Sequence, residues 1–239
     1  MPNNTTTLAQ LITRVRQRAD MVGSAFVSDA EIIDYVNVGM AEIHDLLVDK
    51  YEDYYVDSDT TYTLPGSNPG TLPATFYKAL GVDLDAGGVS YRMRRYTFQE
   101  RNMYNSPSVV AARISDTRYS VQGNQIKFIP DPTTSGTATL HYVPEAQRFS
   151  TSESEYMDKT VVNKAPAIAN GYEEYVVVDA AIKCLMKEES DIQTHMIYKE
   201  QLRKRLESAA GNRDAGEHSR ISDVNTGVYL EDYINYRGF

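Results

Sequence analysis

Tyr119-Ser120-Val121-Gln122-Gly123-Asn124-Gln125-Ile126-Lys127-Phe128-Ile129 decides how this chain is built. Apolar and polar side chains alternate on either side of Gly123-Asn124, the period of a half-buried strand. Gly-Asn between two such runs reads as a hairpin turn. The stretch lies in a tract, residues 54–143, that alternates throughout, whereas residues 7–51 and 170–210 carry helical apolar spacing. The expected fold is therefore α+β. About four helices form an antiparallel, up-down bundle, an antiparallel β-domain is inserted in it, and an extended tail follows. The expected division is residues 1–52 for the first half of the bundle, 53–164 for the β-domain, 165–214 for the second half and 215–239 for the tail.

Outward from the hairpin, Pro130 closes the second strand, and Asp131-Pro132 through Gly136 turns the chain into a strand over Thr137–Tyr142, closed by Pro144. Upstream, Phe76–Leu84 predicts a strand, Gly87-Gly88 a hairpin turn, and Val89–Arg95 its return, with Arg92 and Arg94 on one face. Tyr54–Leu64 is rich in Tyr, Thr and Asp and ends at Pro65-Gly66. Asn68-Pro69-Gly70 makes a turn, and Thr97–Tyr104 a short helix.

The helical ends carry their own punctuation. Thr7 with Gln10 and Ser28 with Glu31 have capping-box spacing. They open a helix from Leu8 to about Asp20 and another from Ser28 to about Lys50. Leu8, Leu11, Ile12, Val15 and Ala19 line the first, and Ile32, Ile33, Val36, Met40, Ile43 and Leu47 the second. Beyond a loop-like stretch, Asn170 is the expected cap of a third helix with the stripe Val176, Val177, Ala180, Ala181, Cys184 and Leu185. Asp191 is the expected cap of a fourth, with Ile192, His195, Tyr198, Leu202, Leu206 and Ala209 inward and Gly211 as its left-handed C-terminal residue. No such stripe is satisfied alone, so the helices must meet across the β-tract.

The chain has 239 residues, 41% hydrophobic, with a formal net charge of −9. That balance argues against reading DNA sequence, which needs a basic footprint, but not against a surface that DNA slides past. No apolar run reaches the roughly 18–20 residues of a membrane span, so no membrane partner is expected. The start of the sequence does not resemble a secretory signal. A single cysteine, Cys184, fits a reducing compartment and a buried thiol. Tyr occurs 18 times and Trp not at all. Such a composition suits either half-wet contact surfaces or a Tyr-rich sheet.

Chemical motifs are sparse. His44, His141, His195 and His218 show no metal-ligand spacing, and there is no phosphate loop or nucleophile elbow. Asp57 with Asp59, Asp83 with Asp85, and Glu153 with Glu155 are acid pairs open to a cation or acid/base role, but turns collect Asp in any case. The expectation is no catalytic residue, metal or cofactor. Arg14, Arg16 and Arg18 lie mostly off the first apolar stripe, where they meet either a partner's carboxylates or solvent. Arg92, Arg94, Arg95 and Lys78 form a basic knot in the β-tract. The last residues hold Tyr229, Leu230, Tyr233, Ile234, Tyr236 and Phe239, which suit either docking on another protein or a frayed end.

Taken in order, four segments resemble the head-to-tail adaptor (connector) proteins of tailed bacteriophages, especially those of short-tailed phages. They are Leu11-Ile12-Thr13-Arg14-Val15-Arg16 with Ser28-Asp29-Ala30-Glu31-Ile32-Ile33-Asp34-Tyr35-Val36-Asn37, and Tyr62-Thr63-Leu64-Pro65 with Leu72-Pro73-Ala74-Thr75-Phe76-Tyr77-Lys78-Ala79-Leu80-Gly81-Val82. The third is the opening hairpin extended through Pro130-Asp131-Pro132, with its return to His141-Tyr142-Val143-Pro144, and the fourth is Tyr172-Glu173-Glu174-Tyr175-Val176-Val177-Val178-Asp179-Ala180-Ala181. The resemblance implies a non-enzymatic virion subunit, assembled in the host cytoplasm and located at the head–tail junction. Copies would form a ring, expected to be a dodecamer, beneath the capsid portal protein, with a tail nozzle or tube protein on the opposite face. Double-stranded DNA would pass through the channel without sequence-specific binding. Tyr229, Leu230, Tyr233, Ile234, Tyr236 and Phe239 would dock on the portal, and Arg14, Arg18 and Arg203 would be contact cations between subunits. The rival expectations are a cell-wall glycan hydrolase or a carbohydrate-binding tail component.

Overall fold

The computed structural model describes residues 6–51, 56–104, 117–130, 135–146, 148–150 and 172–211. Among these, helix and sheet are both present, as an α+β chain requires. Helix α1 spans Leu8–Arg18, α2 Asp29–Lys50, and α3 the single turn Arg101–Tyr104 after a 3-10 turn at Phe98–Glu100. Helix α4 spans Glu173–Lys187 and α5 Gln193–Gly211. Both capping boxes form. Thr7 Oγ1 accepts the Gln10 N–H at 3.2 Å while Gln10 accepts the Thr7 N–H at 3.0 Å, and Ser28 and Glu31 do the same for α2. Helix α4 begins at an N-cap Tyr172 that makes no side-chain cap bond. The expected cap Asn170 lies outside the described residues, as do Glu153, Glu155, His218 and all six tail anchors.

The four long helices share one apolar cluster. Leu8, Leu11 and Val15 of α1, Val36, Met40 and Ile43 of α2, Val176, Val177 and Ala181 of α4, and Leu206 and Ala210 of α5 all belong to it. The inward residue near the end of α5 is Ala210 rather than the expected Ala209, which is exposed. Gly211 is helical and does not adopt the expected left-handed φ.

The strands build two four-stranded sheets. The first has the order β1 (Asp57–Leu64), β8 (Gly136–Pro144), β3 (Phe76–Ala86), β4 (Val89–Arg92); all its pairs are antiparallel. The second has the order β2 (Gly70–Thr71), β7 (Gln125–Ile129), β6 (Arg118–Gln122), β5 (Arg94–Arg95). The hairpin that opens the sequence reading is β6–β7, with Gln122 opposite Gln125 and Gly123 at φ 58°. Tyr62, Leu64, Val82, Leu84, Leu140, Tyr119, Ile126 and Phe128 from both sheets fill a second cluster, as two facing sheets must.

One expected strand is corrected. Val89–Arg95 does not run as a single return: it leaves the first sheet at Met93 and joins the second, where β5 pairs with β6 in parallel. Met93 is buried among both sheets' side chains and donates its N–H to Val82 O at 2.8 Å. Burying that apolar side chain turns the chain from one sheet to the other, so Arg92 and Arg94 are not neighbours on one face. Strand β2, not foreseen, follows the Pro69 turn because Gly70 has no side chain: a Cβ there would sit 2.5 Å from the Tyr62 ring.

Sheet and helix meet at a small seam. Val143 and Phe149 join the helical cluster. The Asn37 side chain of α2 clasps both backbone groups of Phe149, Nδ2 donating to O at 3.0 Å and Oδ1 accepting the N–H at 2.7 Å. Tyr77 of β3 donates to Asp45 Oδ1 at 3.0 Å and stacks edge-to-face on the His44 ring, with centroids 5.1 Å apart.

Candidate functional site: an ion-paired helix seam and a basic cleft

Asp179 lies in the middle of the most apolar helix, α4, and its side chain is only 5% exposed. A buried carboxylate costs several kcal/mol unless it is paired. Two ammonium groups pair it: Lys183 Nζ donates to Oδ2 at 2.5 Å, one helical turn on, and Lys199 Nζ from α5 donates to Oδ1 at 2.9 Å. Lys199 also donates to Glu42 Oε2 of α2 at 2.8 Å, and the Tyr175 hydroxyl donates to the other oxygen of that carboxylate at 2.6 Å. Two acids and two bases thus balance across three helices. Helix α2 comes close enough for this only at Gly39, where a Cβ would stand 2.9 Å from Asp179 Oδ2. Burial works against the Lys199 charge, but the hydrogen bonds to Asp179 and Glu42 outweigh it and hold its pKa above the ordinary lysine value. Burial, and then the Glu42 contact, push the Tyr175 hydroxyl up. Charges and protons are therefore held in place, which suits locking helices rather than moving protons.

A second feature lies on the outer side of α1. Arg14, Gln17 and Arg18 with Glu174 and Val177 of α4 line a polar cleft of about 290 Å³. Arg18 is hydrogen-bonded to Glu174, and its guanidinium lies 5.5 Å from the Tyr198 ring centre. Arg16 points elsewhere. Its guanidinium donates to Ser24 O at 2.8 Å, Val27 O at 2.9 Å and Asp29 Oδ1 at 2.6 Å, closing the α1–α2 loop. Arg203 is on α5 and pairs with Glu207 at 3.1 Å. Of the expected contact cations the structure brings Arg14 and Arg18 to one cleft and leaves Arg203 apart. Arg14 alone of the three has no ion-pair partner among the described residues.

The remaining candidates are dispersed. Asp83 and Asp85 lie two residues apart on β3, and Asp83 Oδ2 is 3.1 Å from His141 Nε2. Asp57 accepts the Tyr142 hydroxyl at 3.3 Å. His44 is buried, and burial lowers its pKa against the opposing pull of Asp45. Cys184 is buried too, which raises its thiol pKa. Among the described residues, no group of three or more His, Cys, Asp or Glu is placed to hold a metal ion, and no helix is long and apolar enough to cross a membrane.

The sequence reading missed the Glu42–Lys199–Asp179 lock. Its one visible signal was Asp179 itself, an acid inside the run from Val176 to Leu185. Comparison with curated proteins finds no match to the chain. Comparison with protein families finds one whose description is SU10 adaptor protein, matched over residues 6–226. That span takes in all five helices and both sheets of the described residues, with the ionic lock and the basic cleft. The chain belongs to the SU10 adaptor protein family, and so is a phage adaptor, a structural rather than a catalytic type of protein.

Proposed function

We propose that this chain is a structural virion subunit of a short-tailed phage, an adaptor whose copies form a ring between the capsid portal and the tail. The family match over residues 6–226 carries this reading. In it, residues 1–52 and 165–214 form the helical bundle, 53–164 an inserted β-domain, and 215–239 a segment that docks on the portal through Tyr229, Leu230, Tyr233, Ile234, Tyr236 and Phe239. A stretch of that length reaches up to about 80 Å when extended, enough to cross a neighbouring subunit. The ring is a dodecamer, built in the host bacterial cytoplasm and finally seated at the head–tail junction, with a tail nozzle or tube protein on its far side. The net charge of −9 per copy favours a channel wall that repels phosphates, so DNA passes without being held.

Imaging of the capsid vertex tests this. Particles made with the chain carry an annulus between portal and tail, and particles made without it are filled heads lacking tails. Purified virions that do not contain the chain would overturn the reading. Removing residues 215–239 abolishes portal binding while the folded part keeps its thermal midpoint.

A further inference from the structure

Helix α1 stands out in an acidic protein, because its eleven residues contain three arginines and no acid. Its exposed side chains are Gln10, Thr13, Arg14, Gln17 and Arg18, spaced so that they form one face. Helix α2 presents the opposite. Ala30, Asp34, Val38, Ala41, Asp45 and Asp49 are all exposed and recur every three or four residues, giving an acidic stripe with small or apolar residues between the acids. Val38 is 55% exposed in its middle. The other sides of both helices pack into the shared helical cluster, so neither face is covered by the described residues.

The charges on the two faces are mostly spoken for, and the remainder match. On α1, Arg16 is tied to Asp29 and Arg18 to Glu174, which leaves Arg14 open at the rim of the cleft. On α2, Asp45 accepts the Tyr77 hydroxyl and Asp49 lies 3.9 Å from Lys50, which leaves Asp34 open among the described residues. Gln10 to Arg18 spans about 12 Å and Asp34 to Ala41 about 10 Å at 1.5 Å per residue, so the two faces are of similar length. Duplex DNA fits the α1 face poorly. Binding it takes several free cations, whereas this cleft offers one among the described residues and is lined by the Glu174 carboxylate.

We propose that the exposed face of α1, centred on Arg14, is the docking site for the exposed face of α2, centred on Asp34, of a second copy of this chain. The proposal rests on the adaptor reading above and adds the surfaces that join neighbouring copies. Two different patches on one chain make a head-to-tail contact, which closes into a ring or runs on as a filament, and does not stop at a two-fold dimer. Val38, Ala41 and the stem of Arg14 supply the apolar centre, and the Arg14–Asp34 pair sets the register.

Charge reversal in the full-length chain tests the contact, read by sedimentation velocity over a concentration series. Wild type assembles. Arg14→Glu and Asp34→Arg each weaken assembly roughly tenfold, and the chain carrying both recovers it, because the swapped charges face each other again at every contact. Neither side chain has a partner among the described residues, so thermal melting of each variant matches wild type and excludes unfolding as the cause. Loss in both single variants without recovery in the double overturns the pairing. Assembly indifferent to either reversal overturns the docking site and leaves the adaptor reading standing. A wild-type chain that stays monomeric at every concentration also overturns the docking site, and the vertex image then judges the adaptor reading separately. If Arg14→Glu instead abolishes binding to a fluorescent DNA duplex while assembly is unchanged, nucleic acid is the occupant and the proposal falls.

Discussion

Helices α4 and α5 are neighbours in sequence and in space, yet they are held by different forces. Ten of the fifteen residues of α4 are buried, from Tyr175 to Leu185, around nearly its whole circumference. Only Leu206 and Ala210 are buried on the nineteen-residue α5, while Met196 and Ile197 stand more than half exposed. Apolar burial of about 25 cal/mol per Å² therefore fixes α4 along nearly its whole length but holds α5 mainly near its end, at Leu206 and Ala210. The first half of α5 is tied down instead by the lock of Lys199 on Glu42 and Asp179, with Arg18 over Tyr198 as a weaker second point. A helix buried nearly all round tolerates an acid at its centre because Lys183 on the same helix and Lys199 on its neighbour bring the countercharge.

Removing Asp179 breaks the comparison most severely. Asp179→Ala strips Lys183 and Lys199 of their shared partner and cuts stability by about 3 kcal/mol, measured by urea denaturation. A loss near zero would mean that water already solvates both ammonium groups. Lys199→Met comes next, at about 1–2 kcal/mol, and its effect is local. Amide exchange speeds up along α5 and stays slow in the centre of α4; uniform acceleration of both helices would refute the division. Acid sharpens the contrast at the far end of α4. There Lys187 bonds to Glu31 at 2.6 Å, which holds the Glu31 carboxyl at about 2, below its ordinary 4.5. A depressed carboxyl stabilises the fold above the unfolded value and loses that contribution as pH falls from about 4.5 through 2. Exchange in the last turn of α4 therefore rises over that window before its centre responds. The smallest effect belongs to Arg203→Ala. Its pair with Glu207 is solvent-exposed, and the denaturation midpoint stays where it is.

These contrasts also mark what sequence patterns reveal. The capping boxes at Thr7 and Ser28 and the turn at Gly123-Asn124 were legible because each is decided by residues within a few positions of one another. Asp191 was readable for the same reason: its carboxylate accepts the Gln193 N–H at 3.0 Å. The break at Met93 was not legible, because alternation says that a side chain is inward but not which of two sheets it enters. Arg16 reads from the sequence as one of three outward cations, yet its guanidinium is bound by the loop carbonyls of Ser24 and Val27, which no helical period reveals. The lock joins positions 42, 179 and 199, which no local period connects. The basic cleft was half visible: Arg14 and Arg18 were singled out, but the cleft also needs Glu174 and Val177 from the far end of the chain.

The clasp of Asn37 on Phe149 has a mechanical consequence. Two antiparallel hydrogen bonds fasten the chain just beyond β8 to the waist of a 22-residue helix, and the Tyr77–Asp45 bond adds a rivet two turns along. Tension applied through the sheets therefore reaches α2 at mid-length as well as through the chain that leads from its end into β1, and rupture at the clasp means shearing several bonds together. A helix gripped at its waist yields less readily to a sideways pull than one held at a tip alone.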